Sequence, residues 1–245
     1  MEFNKINIEI LNLIKEAVGA ENVFSDTDSF EKYGHDETED LNFHPEVVVK
    51  PNDTTAISAL MKICNRHHVP VTPRGGGTGL SGAALPIYGG VLLSMEKFKA
   101  IIEIDIENLQ ATLEPGVITE EFINAAAEKG LLYPVDPSSK GSCFIGGNVA
   151  HGSGGPRVVK YGTIREYILN LEVVLPTGEV IWTGANTLKY ASGYNLTQLM
   201  IGSEGTLGIV TKIVTKLIPK PQQSVVMLGS FTENEKACAA VSAIF

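Results

Sequence analysis

The chain has one tryptophan, three cysteines and far fewer basic than acidic side chains among its 245 residues. Each shortage excludes something. Cys64, Cys143 and Cys238 are odd in number and far apart, with no C-x-x-C spacing and no histidine at ligand spacing beside them. Neither a disulfide framework nor a zinc site is expected, no other metal is predicted, and the thiols read as reduced. Lys plus Arg total 19 against 28 Asp plus Glu, a formal charge of −9, and the basic residues are scattered rather than striped. That argues against a nucleic-acid partner. No run of about 18 apolar residues occurs, and Glu2, Lys5 and Glu9 interrupt the first apolar stretch. Neither a membrane span nor a secretory signal is expected, and the chain reads as soluble and cytoplasmic. At 44% hydrophobic and 19% charged it is neither a disordered tail nor a coiled coil. Its length suits one large domain or two modest ones.

Glycine is what the chain has in excess, 25 residues gathered into three clusters. The first runs from Pro73 and Arg74 through Gly75, Gly76, Gly77, Thr78, Gly79, Leu80 and Ser81 to Gly82. The second runs from Gly141 through Gly146, Gly147 and Asn148 to Gly154 and Gly155, and the third from Gly202 through Glu204 and Gly205 to Gly208.

Between the clusters the pattern is ordered. Apolar residues at Ile6, Ile10, Leu13, Ile14, Ala17 and Val18 predict a helix ending at Gly19. Glu46–Lys50 reads as a strand, a helix capped by Asn52 or Asp53 carries Ala56, Ile57, Leu60, Ile63 and Cys64, and Val69–Thr72 reads as a strand entering the first cluster. That is one β-α-β unit. Further strands are expected at Val91–Leu93, through an alternation of Ile102, Ile104 and Ile106, at Ala111–Leu113 and over Ile209–Ile218. A helix begins at Thr119 with Phe122, Ala125 and Ala126 facing inward and stops at Gly130, and a hairpin closes on Pro176-Thr177-Gly178-Glu179. Strands outnumber helices without regular alternation, which predicts an α+β fold with two sheets.

A run of glycines after a strand lets backbone N–H groups converge on an anion, and Thr78 and Ser81 add hydroxyl donors. This is pyrophosphate chemistry. No lysine follows as in a P-loop, and Gly75-x-Gly77-x-x-Leu80 breaks the dinucleotide-binding fingerprint at its third glycine.

The ordered set Pro73–Ala83, Ile145–Ala150, Lys160-Tyr161-Gly162, Leu175–Gly178 and Gly202–Val210 resembles the FAD-binding domain of the vanillyl-alcohol oxidase flavoprotein superfamily over about Tyr33 to Pro219. Within it the chain is most similar to the branch of glycolate oxidase large subunits, FAD-linked D-lactate dehydrogenases and D-2-hydroxyglutarate dehydrogenase. The resemblance implies a two-lobed FAD-binding fold, a small α/β lobe beside a larger mixed sheet with flanking helices. It also implies three segments: an N-terminal helix and lead-in over 1–45, the FAD-binding unit over 46–221, and the start of a cap domain over 222–245. Arg74, Gly75, Gly76, Gly77, Thr78, Gly79, Ser81 and Gly82 would wrap the FAD pyrophosphate. Asp136, Pro137, Ser138, Ser142, Gly146, Gly147, Asn148, Ala150, Ser153 and Gly154 would line the flavin and ribityl side, with Tyr161 either tuning the flavin or packing. Glu204, Gly205, Gly208, Ile209 and Val210 would close over the adenine and ribose. His151 stands where the family usually has a small polar or acidic residue. It reads as a surface histidine, with an imidazole beside the isoalloxazine the competing reading. Arg74–Gly82 holds no histidine or cysteine, which points to non-covalent FAD.

In the family, the residues that bind substrate and act as base lie in the cap, so no catalytic residue is named here. The apolar run at Ala239–Phe245 reads as a surface needing a partner, and a truncated chain or a completing partner chain is expected. Ser230–Ala237 looks like the first strand and opening helix of that cap. The reaction implied is oxidation of a D-2-hydroxy acid such as glycolate or D-lactate to the 2-oxo acid, with electrons passed to an acceptor protein or quinone. The alternative is a non-catalytic FAD-binding or docking subunit of a multi-subunit hydroxy-acid oxidase. A peptidoglycan-precursor reductase or an alcohol oxidase is the runner-up among enzymes.

Overall fold

The computed structural model describes residues 3–244. Helix α1 (Ile8–Val18) starts where the Asn7 side chain accepts from the Ile10 N–H, and ends at Gly19, whose N–H bonds to Lys15 O. Strand β1 (Val23–Phe24), helix α2 (Thr27–Tyr33), strand β2 (Val47–Val49), helix α3 (Thr54–His67), strand β3 (Val71–Arg74) and strand β4 (Val91–Ser94) follow. They make a four-stranded sheet in the order β1-β2-β4-β3, with β2 and β3 each parallel to β4. Of the two expected caps of α3, Asp53 takes the position and accepts from Ala56 N.

Alternation along the strands decides the two faces of this sheet. Val47, Val49, Val91 and Leu93 pack against Ile10 and Ile14 of α1 and Ile57 and Leu60 of α3. Val48 and Leu92 point the other way, onto Tyr33, Phe24 and Phe30. Both faces are covered, which is why β2 reads as an unbroken run of valine.

Strands β5 (Ile101–Asp105) and β6 (Gln110–Leu113), helix α4 (Thr119–Glu128), strand β7 (Leu131–Leu132), helices α5 (Ile145–His151) and α6 (Val158–Tyr161), and strands β8 (Ile168–Val174) and β9 (Val180–Trp182) come next. Helix α7 (Leu196–Met200), strands β10 (Ile209–Lys216) and β11 (Ile218–Pro219), and helix α8 (Asn234–Ile244) complete the described chain. The second sheet, β5-β6-β10-β8-β9, is antiparallel throughout. Its core gathers Leu113, Phe122, Tyr133, Ile145, Leu171 and Ile213. Truncating a residue such as Leu171, fully buried, to alanine costs about 2–5 kcal/mol. The two-sheet α+β arrangement is as expected, but the larger sheet, expected to be mixed, is antiparallel, and the mixed sheet is the smaller, four-stranded one. The hairpin closes as read, with Leu175 N–H donating to Glu179 O at 2.8 Å.

Two further expectations need correction. The expected strand through the alternation Ile102, Ile104, Ile106 is β5, which stops at Asp105, and the three do not share a face: Ile104 packs on the core with Ile101, while Ile102 and Ile106 are about half exposed. A register shift between Ile101 and Glu103 inserts an extra residue that puts Ile102 out of phase, and Ile106 lies in the turn beyond the strand. No strand forms at the start of the Ser230–Ala237 segment, although α8 does follow. A strand needs a neighbouring edge, none of the described strands runs beside it, and Val225, Val226, Met227 and Leu228 stand exposed.

Candidate functional site

The two sheets leave a cleft of about 500 Å³ between them. Its first wall is the glycine loop that follows Arg74 at the end of β3. At Gly77, φ is +70° and an added Cβ would run into the Arg74 guanidinium. At Gly76 a Cβ would stand 2.7 Å from Ser142 O and 3.3 Å from Cys143 Cα. The loop therefore packs backbone to backbone against the second cluster, at a distance that only glycine permits.

That second cluster is helix α5, seven residues containing Gly146, Gly147 and Asn148. A Cβ on Gly147 would meet nothing within 4 Å, so this face of α5 is bare backbone toward the cleft. The third cluster closes the far side by docking on the end of α5: Gly202 N–H bonds to Val149 O at 3.0 Å and Glu204 N–H to Ala150 O at 2.9 Å. Glu204 sits at φ +52°, and its Oε1 lies 2.7 Å from His151 Nδ1. His151 is exposed, as the surface reading expects, but it also ends α5, lines the cleft and is paired with Glu204.

Of the residues singled out in the sequence, Arg74, Gly75, Gly76, Gly77, Thr78, Gly79 and Ser81 line the cleft. So do Pro137, Ser138, Gly146, Gly147, Asn148, Ala150, Ser153, Gly154, Glu204, Gly205, Gly208, Ile209 and Val210. Four are placed elsewhere. Gly82 donates its N–H to Thr38 Oγ1, Asp136 is ion-paired with Arg157 at 3.2 Å, and Ser142 Oγ turns back to Ser139 O. The Tyr161 ring packs on the core while its carbonyl accepts from Tyr167 OH. The cleft also recruits Asp36, Met95, Pro115, Cys143, Phe144, Met200 and Ser203. Asp36 and Met95 come from segments with no motif, and only the tertiary fold brings them in.

The charges in the cleft are Asp36, Arg74, Glu204 and the titratable His151. Arg74 is 8% exposed and its guanidinium makes no hydrogen bond with the described residues; its Nη1 is buried without a partner, and the guanidinium lies 5.7 Å over the Tyr33 ring. Burial lowers its pKa, opposed by the nearby carboxylate of Asp36. A guanidinium with five donors and no acceptor on its own chain, beside a loop of free backbone N–H groups, fits an anionic ligand. A dinucleotide diphosphate has the charge and the oxygens to meet it.

Fold and cleft together define a flavin-nucleotide-binding protein. Residues 45–184 match the family described as FAD binding domain, and the chain belongs to that family, with FAD as its cofactor. It is 46% identical over 212 residues to the glycolate oxidase subunit GlcD of Bacillus subtilis, covering 86% of this chain and 45% of that protein. To a D-lactate dehydrogenase of Anaerostipes hadrus it is 40% identical over 245 residues, covering 100% of this chain and 51% of the relative. Among solved structures an alkyldihydroxyacetonephosphate synthase superposes with a TM-score of 0.79 at 23% identity, over 91% of this chain and 42% of that one, and shares the fold. The chain spans about half the length of the curated relatives it matches.

Proposed function

We propose that this chain is the FAD-binding half of a flavin-dependent dehydrogenase that oxidises a D-2-hydroxy acid, such as glycolate or D-lactate, to the 2-oxo acid. The observation that carries the reading is the cleft walled by three glycine-bearing segments with an unpartnered Arg74 in it. The names of the two relatives above, a glycolate oxidase subunit and a D-lactate dehydrogenase, support the substrate class. In this reading 46–221 is the cofactor-binding unit.

The chain's own residues bind and orient. The Gly75–Gly79 backbone and Arg74 would hold the diphosphate, α5 and Pro137–Ser138 the flavin and ribityl side, and Glu204–Val210 the adenosine end. FAD, when bound, supplies the two-electron acceptor chemistry. Pro115, Phe144 and Met200 give the cleft an apolar lining that would keep water from part of the bound cofactor. No protein base is assigned within this chain; a group that orients the substrate carboxylate and one that takes the hydroxyl proton would come from the other half that the relatives carry, or from a partner chain, with an acceptor protein or quinone taking the electrons.

Two measurements test the proposal. The chain should purify yellow, or take up FAD after reconstitution. Supplemented with the other half, it should lose its flavin colour anaerobically on addition of D-lactate, glycolate, D-malate or D-2-hydroxyglutarate. Colour untouched by all four acids would overturn the substrate class.

A further inference from the structure

Behind the cleft, the buried hydroxyl of Thr119 at the start of α4 lies between two residues that line it. Asn148 Nδ2 donates to Thr119 Oγ1 at 2.6 Å. The same hydroxyl lies 3.3 Å from Cys143 O and 3.2 Å from Cys143 Sγ. Thr119 is fully buried, and Asn148 and Cys143 are nearly so. The backbone fixes this arrangement: Thr119 N–H bonds to Cys143 O at 3.1 Å, and Ile118 pairs with Phe144 as an isolated bridge.

A hydroxyl carries one hydrogen. The Cys143 carbonyl can only accept, and sulfur is a weak partner in either direction, so that hydrogen is committed to Cys143 and Thr119 meets Asn148 as an acceptor. An amide that gives its NH₂ to Thr119 has its carbonyl left over. Asn148 lines the cleft, and its Oδ1 accepts no hydrogen bond from the described residues. We propose that Thr119 is a positioning residue that fixes the rotation of the Asn148 amide, presenting Oδ1 to the cleft as the acceptor for an N–H or O–H donor of the bound flavin nucleotide. The inference deepens the FAD reading and rests on it.

The test is a double-mutant cycle on FAD affinity, measured with apo-protein by quenching of flavin fluorescence. Thr119→Val keeps the shape of the side chain and removes both hydrogen bonds. Thr119→Val and Asn148→Ala should each weaken FAD by about tenfold. The double variant should be no weaker than Asn148→Ala, and Thr119→Ser should bind like wild type. Should Thr119→Val fail to fold, Thr119→Ala carries the same expectation. Apo-protein melting temperatures are read alongside: a purely structural role would lower them and weaken FAD by the same factor whether Asn148 is present or not. Wild-type affinity in Thr119→Val or its stand-in Thr119→Ala, or an equal loss in the Asn148→Ala background, would overturn the positioning role while leaving the FAD reading intact. A wild-type chain that takes up no FAD overturns the reading and the inference with it.

Discussion

Thr54 Oγ1, on the first residue of α3, donates at 2.9 Å to Oε1 of Glu172, which lies 118 residues later in β8. The same carboxylate accepts from Thr211 Oγ1 at 2.8 Å and from Lys212 Nζ at 3.0 Å. One nearly buried carboxylate thus ties a helix of the mixed sheet to two strands of the antiparallel sheet.

That clamp predicts an acid-sensitive contribution to stability. Burial opposes ionisation of Glu172, but hydrogen bonds from Lys212, Thr211 and Thr54 outweigh it and hold the carboxyl below the ordinary glutamate range. A group depressed in the folded state stabilises above its unfolded pKa and loses that effect as pH falls through the folded value. Glu172→Gln should therefore lower stability at pH 7 by about 1–3 kcal/mol, or several degrees of melting temperature. Wild type and variant should converge as the pH drops below about 4. Lys212 is over a third exposed, so Lys212→Met should cost less than Glu172→Gln. Thermal melts across pH check both statements.

The glycine loop gives a sharper expectation. A β-branched side chain at Gly77 needs positive φ and collides with Arg74; at Gly76 it collides with the backbone of Ser142 and Cys143. Gly76→Val and Gly77→Val should each abolish FAD retention on gel filtration. A valine at Gly130 also sits at positive φ but meets nothing within 4 Å, and should cost stability without releasing flavin.

What was legible in the sequence follows from how local each signal is. The β-α-β unit, the capped helices and the hairpin at Gly178 were readable because period, cap and turn residues act over a few positions. Helix α5 was not, because two glycines in seven residues argue against a helix, and its start is anchored by distant backbone instead: Ile145 N–H donates to Val117 O and Gly146 N–H to Pro115 O. The phase of β5 was lost to a bulge that leaves no local mark. Three glycine clusters announced the cleft, and the family resemblance assigned them; Asp36, Met95 and Thr119 entered the site's surroundings only through the fold. Asp136 and Ser142, close in sequence to residues that line the cleft, turned to Arg157 and Ser139 instead.

Retention of FAD without a covalent bond is the next expectation. No histidine or cysteine lies between Arg74 and Gly82, Cys143 is 3% exposed with its sulfur against Thr119, and His151 is held by Glu204. Acid precipitation of the yellow protein should leave all flavin in the supernatant. Flavin migrating with the denatured polypeptide would show a link at Cys143 or His151, and the corresponding alanine variant would identify it.

Arg74 supports the last prediction. Its guanidinium is buried, carries no hydrogen bond to the described residues and has one nitrogen without any partner, a state that costs free energy until an acceptor arrives. If the diphosphate of FAD is that acceptor, Arg74→Ala should weaken FAD by about 1.5–3 kcal/mol, roughly ten- to a hundredfold. Arg74→Lys should recover part of the loss, because a lysine restores the charge but not the planar fork of donors. The distance between guanidinium and phosphate also sets a salt signature, since a buried pair is screened little and an exposed one strongly. FAD affinity of the wild type should therefore change little with ionic strength, and the Arg74→Ala deficit should persist at high salt. Equal affinities for wild type and Arg74→Ala at all salt concentrations would show that the loop backbone alone holds the diphosphate and that Arg74 serves only to support Gly77.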